Sequence, residues 1–312
     1  MKKISLVIPC YNESESLPLL LKRLSDLQMA LANRIETEVI LVDDHSSDDT
    51  SEKIKMACKN YPWLKLIRLS RNTGGHIAII AGISAATGDC AVFLAADLQD
   101  PPELIHSMLD EWDSGFDVVW AVREQRLGVS KMSVFFSNTF FRLLNWSTDI
   151  NYPKTGADYA LLDRKAMDGL IKSAGSKPSL GALIAWMGFK TKEIMYVKED
   201  RKYGKSKWTL SRKLNAFADA FVGFSYLPMR VMTLLGFLAA FLGFTYAAII
   251  FAMRFIIGNP IPGYASLMIV VLIIGGLQML MLGVLGEYLW RNLEESRKRP
   301  LYLIEEQTGF EK

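Results

Sequence analysis

From Val231 to Met253 the chain reads VMTLLGFLAAFLGFTYAAIIFAM without a single charge, and from Ser266 to Gly286 it reads SLMIVVLIIGGLQMLMLGVLG. A helix needs about 20 apolar residues to cross ~30 Å of hydrocarbon. A core helix of a water-soluble domain rarely stays apolar on every side over such a length. Both runs are therefore expected to span a membrane. The connection GNPIPGYA, Gly258 to Ala265, is too short for a domain and makes the pair a helical hairpin. These runs account for a hydrophobic content of 50% against 22% charged, high for a wholly soluble chain of 312 residues.

Charge gives the hairpin a direction. Arg212, Lys213 and Arg230 precede the first run and Arg291, Arg297, Lys298 and Arg299 follow the second, whereas only Arg254 lies near the turn. The positive-inside rule then puts the long N-terminal part and both termini in the cytoplasm, at an inner or plasma membrane. Met1 to Lys3 leads straight into a strand pattern, so no cleavable leader is expected. Cys10, Cys58 and Cys90 are too few and scattered for a disulfide framework, which agrees with a reducing compartment. His45, His76 and His106 have no ligand spacing with them, which argues against zinc. A net charge of +3 does not call for nucleic acid. The basic run RKYGKSKWTLSRK, Arg201 to Lys213, sits beside the spans and suits anionic headgroups or a lipid phosphate.

Ahead of the spans, ISLVIPC (Ile4 to Cys10), TEVILVDD (Thr37 to Asp44), LKLIRLS (Leu64 to Ser70) and CAVFLAAD (Cys90 to Asp97) are short β-rich runs. Segments with helical spacing separate them. Leu17, Leu20, Leu21, Leu24 and Leu27 form one apolar stripe, and Ser46 to Met56 opens with helix-capping residues. This alternation predicts an α/β fold with a mostly parallel sheet, in which ligands bind beyond the carboxyl ends of the strands. Those ends read PCYNE, DDHSSDDT, SRNTGG and ADLQDPPE, the most polar segments of the domain. Neither G-x-G-x-x-G after the first strand nor G-x-x-x-x-G-K-[ST] occurs, so a dinucleotide oxidoreductase and a P-loop NTPase lose their main signals. Asp97 and Gln99, two residues apart, can turn oxygens to one side, and hard oxygens suit Mg2+ or Mn2+ on a diphosphate. Solvation or helix capping is the competing reading of such acids.

The ordered set VIPCYNE, VDDHSSDDT, SRNTGGHIAIIAGISAATGD, ADLQDPPE, GADYALLDR and RKYGKSKW, followed by two spans, resembles the polyprenyl-phosphate glycosyltransferases of family 2. These are similar to dolichyl-phosphate mannose synthase, and in layout to the bacterial bactoprenol glucosyltransferases of the GtrB type. The resemblance runs from about Ile4 to Leu293. It implies a glycosyltransferase A-type nucleotide-sugar domain over residues 1–206, interfacial helices over 207–229, two transmembrane helices over 230–290 and a cytoplasmic tail over 291–312. It also implies inverting transfer of a sugar, glucose first, from a UDP-sugar to polyprenyl (undecaprenyl) phosphate at the cytoplasmic face, in a homotetramer.

Carried over position by position, the resemblance puts Pro9, Tyr11 and Glu13 in the first nucleotide loop, and Asp44 at the base. Asp97 and Gln99 match metal and diphosphate ligands. Arg123, Arg126, Lys131 and Ser137 fall in the segment for the acceptor phosphate, Asp158 matches the acid of a GDFRL-like segment, and Arg201, Ser206 and Lys207 match an R-x-x-G-x-S-K loop near the diphosphate. An ionised acceptor phosphate is its own nucleophile, so positioning and charge stabilisation carry the reaction; Asp158 is a candidate base or an orienting group.

Many members of that family carry D-x-D, with an acid two residues before the position of Asp97; here that residue is Ala95. A divalent ion on a diphosphate needs only one or two protein carboxylates, so an active site with a thinner metal shell is expected. Two alternatives stand beside this reading. One is the same reaction with GlcNAc, mannose or a modified arabinose, and the other, motivated by Ala95, is a non-catalytic nucleotide-sugar-binding membrane scaffold. Ser133 to Trp146, with Phe135, Phe136 and Phe140, and the stretch with Phe217, Phe221 and Phe224 are candidate helices at the lipid entrance, against ordinary core packing.

Overall fold

The computed structural model describes residues 1–123, 153, 159–175, 179–199, 227–257 and 263–310. Strands β1 (Lys3–Cys10), β2 (Glu36–Asp43), β3 (Leu64–Leu69) and β4 (Cys90–Phe93) alternate with helices α1 (Leu17–Leu31), α2 (Thr50–Asn60) and α3 (Gly75–Ala85). A 3-10 turn (Pro102–Leu104), α4 (Ile105–Asp113) and β5 (Val118–Arg123) follow. Then come β6 (Tyr159–Asp163), α5 (Arg164–Ser173), α6 (Leu180–Trp186) and β7 (Thr191–Tyr196). Two long helices, α7 (Leu227–Ile257) and α8 (Tyr264–Ser296), precede the last strand, β8 (Ile304–Thr308).

One sheet runs in the order β7-β5-β6-β4-β1-β2-β3-β8. Pairs β1–β2, β1–β4, β2–β3 and β5–β7 are parallel, while β6 and β8 run against their neighbours. Ile4, Leu6, Val7 and Ile8 of β1 are all fully buried, the pattern of a central strand covered on both faces. On one side α1 supplies Leu17, Leu20, Leu24, Leu27 and Leu31 at helical spacing to the main core. On the other, Gly82 of α3 lies so close to the sheet that a Cβ there would collide with the Val7 and Val42 side chains. That face of the helix therefore requires glycine.

At the amino-terminal end of the strands the Glu38 carboxylate is buried and fully engaged. It accepts from Ser5 Oγ at 2.5 Å, the Thr87 N–H at 2.7 Å and Lys65 Nζ at 2.8 Å. Burial alone would raise its pKa, but the Lys65 ammonium and these donors outweigh it and hold the group down at about 2.

Strand β4 is shorter than the run Cys90 to Asp97 suggests. Its pairing with both β1 and β6 ends at Phe93, although β1 itself continues to Cys10, so β4 leaves the sheet early and the next residues form a loop. The segment after the second apolar helix also differs from a simple tail. Strand β8 closes the edge of β3, with Leu66 opposite Thr308, Ser70 N–H donating to Leu303 O at 2.9 Å and Arg68 Nε to Glu305 Oε2 at 2.9 Å. Two adjacent acids, Glu305 and Glu306, gave this five-residue strand no apolar signal; it is held by backbone pairing and by ion pairs to basic residues of α2 and β3.

The chain divides into two units, Met1–Ala220 with Pro300–Lys312, and Phe221–Arg299. In the second, Met229–Tyr246 and Ile273–Ser296 are long and apolar enough to cross a membrane, with none of either window buried. Phe237, Phe244 and Met279 are each more than 70% exposed, which no core helix tolerates. Pro228 occupies the second position of α7, where its missing N–H costs no helical bond. Of the candidate interfacial segments, 133–146 lies outside the described residues, as does 207–226 of the stretch 207–229.

Candidate active site

The carboxyl ends of β4, β1, β2 and β3 lie side by side, and their loops are tied to one another by short-range polar chemistry. The Asp44 carboxylate, just past β2, accepts the Thr73 N–H at 2.7 Å, the Thr73 hydroxyl at 2.9 Å and the Gly74 N–H at 2.8 Å. Burial pushes its pKa up, against the pull of those three donors. Gly74 has φ +92°, a conformation that lets the chain turn directly into α3. The loop after β1 is held in the same way: Asn12 N–H donates to Ser46 Oγ at 2.9 Å, Ser47 N–H to Asn12 Oδ1 at 2.8 Å, and Glu13 N–H to Thr50 Oγ1 at 2.9 Å. Asp48 takes the Thr50 N–H at 3.1 Å and so caps α2 from one residue upstream.

Non-glycine residues with positive φ mark the same rim. Asn12 (52°), His45 (60°) and Leu98 (59°) follow β1, β2 and β4 respectively. Asparagine tolerates this region, but a leucine there costs on the order of 1–3 kcal/mol, and such strain gathers at functional sites. Leu98 has a buried side chain, and its turn lets Asp97 Oδ1 accept the Gln99 N–H at 3.2 Å. Along this loop Leu94, Ala96, Leu98 and Asp100 are buried, whereas Ala95, Asp97 and Gln99 are each half-buried. Asp97 and Gln99 are thus both within reach of a ligand, as is the position of Ala95. The Gln99 amide nitrogen donates to Glu199 O at 3.3 Å, leaving its oxygen as the end able to accept.

Of the residues singled out in the sequence, Pro9, Tyr11, Glu13, Asp44, Asp97 and Gln99 all lie in or beside this rim. Pro9 pairs with Val42 near the end of β1, and the Glu13 carboxylate accepts from Ser16 Oγ at 2.9 Å at the start of α1. Arg123 is the last residue of β5, two strands beyond β4. Arg126, Lys131, Ser137, Asp158, Arg201, Ser206 and Lys207 lie outside the described residues. Among the described residues no group of three or more His, Cys, Asp or Glu is placed to hold a metal. Sequence reasoning passed over Asn12, Ser46, Thr50, Thr73 and Gly74, whose role is to tie loops together. Only the capping character of the serines and threonines hinted at it.

The fold is similar to the crystal structure of a glucosyl-3-phosphoglycerate synthase from Mycobacterium tuberculosis in complex with Mn2+, UDP-glucose and phosphoglyceric acid. That likeness has a TM-score of 0.50 at 16% identity and covers 71% of this chain and 78% of that one. Sheet topology and this likeness place the chain in the class of proteins with the A-type fold.

Residues 5–169 match the model of glycosyl transferase family 2, and residues 227–291 match the GtrB C-terminal hairpin. An uncharacterized glycosyltransferase of Synechocystis sp. is 37% identical over 309 residues, covering 99% of this chain and 96% of its own. The bactoprenol glucosyl transferase of Shigella phage SfV is 31% identical over 302 residues, 97% of this chain and 98% of its own. A prophage bactoprenol glucosyl transferase homolog of Escherichia coli matches equally, at 31% over 97% of this chain and 98% of its own. The chain belongs to glycosyltransferase family 2; it is a glycosyltransferase with a membrane-associated C-terminal hairpin.

Proposed function

We propose that the protein transfers a sugar, glucose first among candidates, from a UDP-sugar to polyprenyl phosphate at the cytoplasmic face of the membrane. The observation that carries this reading is the joining, in one chain, of an A-type rim at residues 9–13, 44–50, 73–74 and 97–100 to an apolar hairpin of the kind found in bactoprenol glucosyl transferases. A soluble acceptor would not require two long helices whose apolar residues are left unburied.

Asp97 and Gln99 would hold a divalent ion. Their carboxylate and amide oxygens are hard donors two residues apart on a half-buried loop, which fits Mg2+ or Mn2+ shared with a diphosphate and water. When bound, that ion supplies charge neutralisation for the departing UDP. The remaining work belongs to the chain. Asp44 and the loops it fixes form the cradle on the nucleotide side, where little can move when the ligand arrives. Arg123 brings a guanidinium that can grip a phosphate through two parallel hydrogen bonds. The acceptor phosphate is ionised at neutral pH and attacks the sugar carbon directly, so a single displacement inverts the configuration. Arg126, Lys131, Ser137 and Asp158 would complete the acceptor side, Arg201, Ser206 and Lys207 the diphosphate side.

Purified full-length protein in detergent or vesicles, given short-chain polyprenyl phosphate and a panel of nucleotide sugars, should release UDP and form a lipid-linked sugar only with a divalent cation present. UDP-glucose should give the highest kcat/KM. Turnover with another donor would replace glucose, and nucleotide-sugar binding without any turnover would overturn the reading.

A further inference from the structure

Behind the acidic loop lie two buried tyrosines. Tyr159 and Tyr196 meet edge-on, with ring centroids 6.1 Å apart and planes at 82°. Tyr159 opens β6, directly after Asp158 in the chain, and its hydroxyl donates to Pro101 O at 3.3 Å. Tyr196 closes β7, and its hydroxyl donates to Asp100 Oδ1 at 2.5 Å. Asp100 is fully buried, and Lys198 Nζ lies 3.5 Å from the same oxygen. Across the β5–β7 ladder Tyr196 is paired in register with Arg123, so the two side chains leave the sheet on the same face, and the Arg123 charge pulls against the rise in the phenol's pKa.

A phenol has one proton to give and two lone pairs to accept with. Here the proton goes to Asp100 and the oxygen keeps its lone pairs for the Arg123 guanidinium on the neighbouring strand, so a neutral link stands between two opposite charges. Burial and the Asp100 charge push the Tyr196 pKa well up, so the link keeps its proton at neutral pH. In a dry setting each bond of such a chain polarises the next. Because the guanidinium is a rigid plane, anchoring one of its N–H groups fixes the direction of all the others. The same region is tied twice more: Glu199 N–H donates to Gln99 O at 2.8 Å, and Arg23 bridges Glu199 and Glu103 at 3.0 and 2.7 Å. A buried carboxylate is a poor way to gain stability over an apolar side chain of equal volume. It is a good way to fix an angle.

We propose that Tyr196 and Asp100 are positioning residues that hold Arg123 in the orientation that receives the acceptor phosphate, and that couple it to the loop carrying Asp97 and Gln99. The inference rests on the proposed transfer to a lipid phosphate and deepens it: donor loop and acceptor arginine are built as one unit, through the backs of two strands.

The test uses full-length protein in vesicles with UDP-glucose and short-chain polyprenyl phosphate. Tyr196→Phe keeps the ring and removes the link, and should raise the acceptor KM about tenfold, the loss expected for one hydrogen bond to a charged group. The KM for the nucleotide sugar should stay within twofold. Asp100→Asn, which retains an acceptor oxygen but no charge, should give a smaller rise of the same kind. Arg123→Ala should hurt acceptor use more, and adding Tyr196→Phe to it should cause no further loss. Equal effects on both substrates, full additivity with Arg123→Ala, or an unchanged acceptor KM in Tyr196→Phe would overturn the inference alone. A wild-type protein inert toward every lipid phosphate would overturn the proposed function and this inference together.

Discussion

Asp44 Oδ1 accepts the backbone N–H of Thr73 at 2.7 Å while its Oδ2 accepts that of Gly74 at 2.8 Å, so the end of β2 fixes the start of α3. An amide cannot do both. In Asp44→Asn one oxygen becomes an NH2 group facing a backbone donor, at a cost of about 1–3 kcal/mol. The thermal midpoint should fall, and UDP affinity measured by calorimetry should drop at least about tenfold because the cradle loses its pin. Unchanged affinity would separate Asp44 from the nucleotide.

Asp97 is the half-buried carboxylate of its loop, Asp100 being fully buried, with Ala95 two residues before it. Asp97→Asn should lower turnover by about 100-fold or more while leaving the melting profile intact. Restoring the missing acid with Ala95→Asp should tighten Mn2+ dependence of UDP binding, read as the metal concentration giving half-maximal affinity. Near-normal turnover in Asp97→Asn would remove that residue from the metal role.

Glu38 supplies an acid limb to stability. Its pKa is held down to about 2 in the fold against an ordinary 4.5, so its contribution is present above about pH 4.5 and is lost as pH falls toward 2. The difference corresponds to about 3 kcal/mol. Denaturation followed from pH 6 to pH 2.5 should show this limb, and Glu38→Gln should flatten it while lowering stability at neutral pH.

Removing residues 300–312 should destabilise the catalytic unit although the cut is far from its core in sequence. It strips β8 from β3 and leaves Arg68 without its Glu305 partner. Size-exclusion chromatography should show self-association through the bared edge. A monodisperse, fully stable truncation would show β8 to be dispensable.

The sheet was legible because its strands are short β-rich runs between amphipathic helices, and the buried leucines of α1 fall on the predicted stripe. The rim was legible for a related reason: Asp44, Asp97 and Gln99 interrupt apolar runs where nothing in packing calls for polarity. What stayed hidden depends on contacts distant in sequence. Tyr196 and Asp100 are 96 residues apart and neither stands out in its own segment. Strand β8 carries Glu305 and Glu306 and reads as a solvated tail until the basic residues of α2 and β3 are placed opposite it. The early end of β4 was likewise hidden: its ladders to β1 and β6 stop at Phe93 although the apolar run continues, which no local pattern records.

The order of synthesis gives β8 a further meaning. Its first residue, Ile304, leaves the ribosome 235 residues after the end of β3 at Leu69, and behind both apolar helices. At ordinary elongation rates that interval is roughly 10 to 50 s. Throughout it the nascent chain carries a sheet open at β3, and the strand that closes this edge is made only after both apolar helices. Closure of the sheet therefore comes last in the order of synthesis.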